Sequence, residues 1–177
     1  MDIRIVKTKR SIINAFLELR SKKAIEKITV KELCERAEIN KSTFYTHFKD
    51  IYNLSEYLET QIANEVVSSL RHPECLFTKP DIFIRELSCA YAAQDNLIHT
   101  VFSGSRSNLF LVQVENSLKE IIFSLRPEYK ENITANVLFT LSIYGGFYAF
   151  EKYRRFGEDA IIDTISEINQ KIMELLN

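Results

Sequence analysis

Apolar residues recur every three to four positions through most of this 177-residue chain, the period of a helix that buries one side. Ile12, Phe16 and Leu19 make such a stripe in a first helix running to about Leu19. Val30, Leu33, Cys34 and Ala37 repeat it at i, i+3, i+4 and i+7. Thr29 precedes that stripe and Glu32 stands three residues on. Hydroxyl and carboxylate so spaced can each satisfy an unpaired backbone amide, which starts the second helix near Val30. Ile39 plugs the turn that follows. Asn40 is a good cap for a short third helix, Lys41 to about Phe48, whose Phe44 and Phe48 lie four apart and can pack back on the second. A fourth helix runs from Ile51 to about Leu70, with Leu54, Leu58 and Ile62 on one side. Residues 72–80, bracketed by prolines, read as a loop. Five more helices follow: Asp81 to about Ala93, Asp95 to about Phe102, Leu109 to Leu125, about Ile133 to Arg155, and about Asp159 to Leu176. Gly104, Pro127 and Gly157 separate the later ones. No strand alternation or internal repeat competes, so the expected fold class is all-α with about nine helices.

The third helix leaves Lys41, Ser42, Thr43, Tyr45, Thr46 and His47 on its polar face. Hydroxyls, an imidazole and an ammonium suit base edges in a major groove, while Tyr45 and Lys49 suit phosphate oxygens. A helical hairpin that merely packs is the plain alternative. With Ile28-Thr29-Val30, Leu33, Ala37, Ile39, Ser42-Thr43-Phe44-Tyr45, Phe48-Lys49 and Leu54 in this register, residues 28–54 resemble the helix-turn-helix of the TetR (tetracycline repressor) family. The resemblance covers roughly the first third of the chain. It implies a three-helix DNA-binding domain over residues 1–50 and a helical ligand-binding and dimerisation domain over residues 51–177. It also implies that Thr29, Lys31, Lys41, Ser42, Thr43, Tyr45, Thr46, His47 and Lys49 touch double-stranded DNA.

Three positions depart from the family pattern. Glu38 stands where the family usually has Gly in the turn, so local backbone strain is expected. Ile51 replaces a frequent Lys and removes one phosphate contact. Cys34 replaces an inner Ala, and a small buried thiol there packs rather than reacts.

Charge sharpens this picture. The whole chain carries 23 basic and 24 acidic residues, yet residues 1–50 hold 12 basic against seven acidic ones. The body is correspondingly acidic. A basic head on an acidic body points only the head at a polyanion. Arg4, Lys7, Lys9 and Arg10, at the start of the first helix, are candidates for the DNA backbone.

Asn132 to Phe150 contains no charged residue. Its length approaches a membrane span, but Asn132, Thr134, Asn136, Thr140, Ser142 and Gly145-Gly146 interrupt it, so no membrane is expected. A helix apolar all round is central or wedged against a partner subunit. In the TetR family the last two long helices of each subunit form a four-helix dimer bundle, so the resemblance implies a homodimer through the last two helices here. Gly146, Ile165 and Ile172 are expected at its seam.

The resemblance further implies a small apolar ligand enclosed by the middle helices, with Asn96, His99, Phe102, Asn136 and Tyr144 as candidate lining. A filled core without a ligand is the alternative. Catalytic motifs are lacking, no cofactor is expected, and His72 and Cys75 have no second pair to complete a metal site. Three cysteines without a Cys-x-x-Cys pair, and no secretory leader, favour the cytoplasm. The reading is a dimeric repressor on a palindromic operator, released by a ligand. The alternative is a TetR-like helical adaptor or coactivator acting through protein contacts.

Overall fold

The computed structural model describes residues 3–176. Among them are no strands and nine helices of at least seven residues: α1 (Ile3–Arg20), α2 (Val30–Arg36), α3 (Lys41–His47), α4 (Ile51–Ser68), α5 (Pro80–Ala93), α6 (Asp95–Val101), α7 (Leu109–Leu125), α8 (Ile133–Tyr153) and α9 (Glu158–Met173). Their starts carry the chemistry that helix ends require. Thr29 Oγ1 accepts the amide of Glu32, Asn40 Oδ1 that of Thr43, and Asn132 Oδ1 that of Ala135. The reciprocal half of the expected Thr29–Glu32 box has a competitor, because the Glu32 carboxylate pairs with the Lys23 ammonium. The expected loop over 72–80 contains one helical turn, Cys75–Thr78, started by the fixed backbone of Pro73 and buried through Cys75 and Leu76.

The chain folds into two compact units that do not follow chain order. The first joins Met1–Ile62 to Asn96–Phe110, and the second joins Ala63–Asp95 to Leu111–Asn177. The boundary expected after residue 50 falls inside the first unit. Ile12, Phe16, Leu33, Phe44 and Leu54 form its centre with no solvent exposure. Sequence periodicity placed all five correctly on inward faces. Phe44 and Phe48 stand with ring centroids 6.1 Å apart, and Phe48 reaches Tyr57 at 5.7 Å.

In the second unit α5, α8 and α9 pack together. Tyr91 meets Phe147 edge-on at 5.4 Å, and Arg85 reaches Asp159 at 2.6 Å and Asp163 at 3.3 Å. Here two of the three residues expected at the subunit seam are corrected. A Cβ added at Gly146 would lie 3.5 Å from Ile165 Cγ2 of the same chain, and Ile165 is 7% exposed. Gly146 and Ile165 therefore join α8 to α9 within one protomer. What α8 leaves outward is another row: Ile133, Val137, Leu141 and Tyr148 are 76%, 48%, 58% and 55% exposed.

Candidate nucleic-acid interface

The turn between α2 and α3 decides which side of α3 faces out. Glu38 has φ 55°, the left-handed conformation usual for glycine at this point. Around it the Ile39 amide donates to the Cys34 carbonyl at 3.0 Å and the Glu38 amide to Glu35 at 3.4 Å. That double bond pattern is the Schellman closure of a helix. The strain expected at Glu38 is present, and the turn keeps its shape.

With the turn fixed, Phe44 and Phe48 enter the core and α3 presents its polar side. Lys41, Ser42, Tyr45 and Thr46 are exposed, as is Lys49 just beyond the helix, and Thr43 and His47 are half-buried. Tyr45 is 56% exposed but stands edge-on to Phe44 at 5.4 Å, which orients its ring. The three hydroxyls are tied inward: Ser42 Oγ and Thr43 Oγ1 each donate to Asn40 Oδ1 at 2.7 Å, and Thr46 Oγ1 to the Thr43 carbonyl at 2.7 Å. Thr29 and Lys31, also expected to meet DNA, are exposed on α2 and its cap, with Lys31 Nζ 3.9 Å from Glu35. Of the four cations near the start of α1, Arg4, Lys7 and Arg10 are exposed. Lys9 instead bends back, its ammonium 3.7 Å from the centre of the Tyr57 ring, a cation–π arrangement that sequence spacing does not reveal.

The same unit holds a buried ionic cluster absent from the sequence reading. Glu59 of α4 is fully buried and accepts two bonds from Arg106, at 2.8 and 2.6 Å. Arg20, 5% exposed, donates to the Ser103 carbonyl at 2.9 Å and to that of Lys23 at 3.2 Å. Ser105 also bonds the Glu26 carboxylate. Segment 96–110 is thereby fastened to α1 and α4. Burial lowers the Arg20 pKa, and the bond to Glu59 raises that of Arg106. The available signal was Glu59 itself, an acid at helical spacing from Ser55 and Ile62 on an otherwise apolar side.

The candidate ligand residues are distributed between the units. Asn96 and His99 are exposed on α6, and Phe102 is buried with its ring 5.2 Å from Phe110. Asn136 and Tyr144 lie on α8 in the second unit. Asn136 Nδ2 donates to the carbonyls of Tyr129, Lys130 and Asn132, and Tyr144 bonds Glu115. The second unit has an open cleft of about 440 Å³ lined by Ser69, Arg71, Asp81, Ile82, Arg85, Glu86, Cys89 and Ala90. Its rim is ionic, and it includes none of those five residues. His72 Nδ1 lies 2.7 Å from Glu86, whose other oxygen accepts the amides of Arg71 and His72. The bond from His72 leads the causes that hold the Glu86 carboxyl below its ordinary pKa. Among the described residues no three His, Cys, Asp or Glu side chains cluster as a metal site.

Residues 12–58 match the family model described as bacterial regulatory proteins, tetR family. Over those residues the chain is similar to that family's N-terminal domain. The tetR-family match begins in α1 and ends in α4, and so includes the whole of α2, the strained turn and α3. The match supports a DNA-binding transcription regulator. No curated protein and no solved structure matches the chain.

Proposed function

We propose that this tetR-family regulator is a homodimeric, cytoplasmic repressor that reads a palindromic operator with α3 and its flanks. The observation that carries the reading is the division of α3: Phe44, and Phe48 directly after the helix, are buried, while Lys41, Ser42, Tyr45, Thr46 and Lys49 face solvent. Lys41, Ser42, Thr43, Thr46 and His47 supply base contacts, and Tyr45, Lys49, Thr29 and Lys31 hold phosphate oxygens.

The outward row on α8 supports the dimer. Residues 133–156 are long and apolar enough by length and composition to cross a membrane, but one side of α8 buries Ala135, Leu138 and Phe139 within its own unit. Ile133, Val137 and Leu141 then need a partner surface. A second α8 meets that need and doubles the recognition helix. Two copies read both half-sites when their helices stand about 34 to 36 Å apart, or a multiple of it.

A small apolar ligand that favours another spacing releases the operator, by its differential affinity for the two arrangements. The ties from Arg20 and Glu59 to segment 96–110 support such coupling, because a segment from mid-chain is part of the DNA-reading unit. The test is selection from a random duplex library, followed by binding at rising salt. A palindromic site and a steep loss of affinity with salt are expected, through counterion release. Binding without sequence preference, or nearly independent of salt, overturns the reading and favours action through protein contacts.

A further inference from the structure

We propose that the hydroxyls of α3 read the major groove as hydrogen-bond acceptors, so that they face amino bases, adenine or cytosine, rather than keto bases. This rests on the reading of α3 as the recognition helix and adds to it the chemistry of the bases selected.

Each hydroxyl has one proton and two lone pairs. Thr46 Oγ1 lies 2.7 Å from the Thr43 carbonyl, which can only accept, so the Thr46 proton points inward. Ser42 and Thr43 each lie 2.7 Å from Asn40 Oδ1. The identity of that amide oxygen is settled by its third neighbour, the Thr43 backbone amide at 2.8 Å. Reversing the Asn40 amide would set donor against donor. All three hydroxyls therefore spend their donor inside the protein and present lone pairs outward.

In the major groove the N6 amino group of adenine and the N4 amino group of cytosine donate, whereas guanine O6 and N7 and thymine O4 accept. An amino base meets these hydroxyls as they stand. A keto base requires the hydroxyl to turn and give up its internal bond, a loss of about two- to tenfold in affinity for each position. Thr46 holds its proton most firmly, because Asn40 Oδ1 is shared among three donors. Lys41, a donor only, supplies the complementary contact to a keto base on the same side.

The experiment compares operators selected from a random duplex library by the parent, Thr46→Val and Asn40→Gly. Valine keeps the shape of threonine and removes the hydroxyl. Glycine at the cap costs little in helix stability while freeing the protons of Ser42 and Thr43. At the base pair whose preference relaxes in Thr46→Val, the group contacted should be the amino group of its adenine or cytosine, read by analogues that delete one group at a time. Replacing an adenine there by purine, which lacks the N6 amino group, should weaken the parent about two- to tenfold and leave Thr46→Val unchanged. Asn40→Gly should relax the base preference at the neighbouring positions and lessen the loss on deleting their amino groups. A parent that binds undiminished when the amino group is deleted but weakens when the keto oxygen of the paired base is deleted, no relaxed position at all, or an unaltered preference in Asn40→Gly overturns the inference while leaving DNA reading intact. A parent that selects no site overturns the recognition-helix reading itself.

Discussion

Arg106 closes on Glu59 through two parallel bonds, Nε to Oε1 at 2.8 Å and Nη2 to Oε2 at 2.6 Å, although the two residues stand 47 positions apart in sequence. Ser55 Oγ donates to the same carboxylate at 2.7 Å, so a fully buried acid has three bonds. Buried pairs of this kind add little net stability, because desolvation offsets the attraction, but removing one partner strands the other charge. Arg106→Ala is expected to destabilise the protein by about 3–5 kcal/mol, measured by urea unfolding. Glu59→Leu combined with Arg106→Met should recover most of the loss. A single Arg106→Ala that costs under about 1 kcal/mol, the range of exposed pairs, would show that Glu59 is solvated.

Under the proposed reading, the exposed side of α3 should separate two kinds of contact. Tyr45→Phe and Lys49→Ala should weaken binding alike across sequences, and Lys49→Ala should also reduce the salt slope by about one. Lys41→Ala or Thr43→Ala should alter base preference at one position, with about 1 to 3 kcal/mol lost for each good base contact. Titration of selected and scrambled duplexes distinguishes them. Tyr45 and Lys49 variants that bind the selected site as tightly as the parent would mean that α3 meets DNA by another side.

Glu38 offers a gain in stability. Its φ of 55° costs a non-glycine residue about 1–2 kcal/mol, and glycine removes that strain at some cost in unfolded-state entropy. Glu38→Gly should raise the unfolding free energy by about 0.5–1 kcal/mol with no change in the operator selected. Calorimetry showing an unchanged or lower Tm would mean that the Glu38 side chain supports the turn in another way.

The head was legible because local rules and packing agree there. Asn40 caps α3, Phe44 and Phe48 share its inner side, and Glu38 occupies a turn position that favours glycine; each is a statement about neighbours in sequence. The Arg106–Glu59 and Arg20–Ser103 ties were not legible, since they join residues 47 and 83 positions apart and neither arginine stands out from an exposed one in sequence. The same limit misplaced Gly146. An uncharged helix announces that both its sides are covered, but not which side meets its own chain, and only the proximity to Ile165 answers that.

Acid should loosen the second unit through Glu115. Burial raises the pKa of this carboxyl, but bonds from Lys119 and Thr140 outweigh burial and leave it below the ordinary value. A depressed folded pKa contributes stability that is fully present above the unfolded value, near 4.3, and is lost as pH falls through the folded one. Glu115→Gln should therefore flatten the fall in stability below about pH 5 without abolishing it, since Glu18, Glu26, Glu86 and Glu128 are lowered too. Chemical unfolding across pH 3 to 7 checks this. Parallel curves for parent and variant would remove Glu115 from the acid response.

The two adjacent glycines of α8 give the proposed dimer a discriminating test. Gly146 backs onto Ile165 of its own chain, whereas a Cβ at Gly145 meets no atom of this chain within 4 Å. Gly145→Leu should leave the protomer folded, and a glycine-to-leucine change even favours helix by about 1 kcal/mol. If a second backbone lies against Gly145, the same side chain forces the copies apart. Leu141→Asp acts on the same exposed row without touching the protomer core and sets an unpaired charge in an apolar seam. It should weaken dimerisation by about 3 kcal/mol, roughly a hundredfold. Gly146→Leu and Ile165→Asp should instead lower the stability of each protomer. Sedimentation with circular dichroism separates the pairs: folded monomers for Gly145→Leu and Leu141→Asp, unfolding or aggregation for Gly146→Leu and Ile165→Asp. A parent that sediments as a monomer at micromolar concentration would remove the dimer, and with it the reason to expect a palindromic operator.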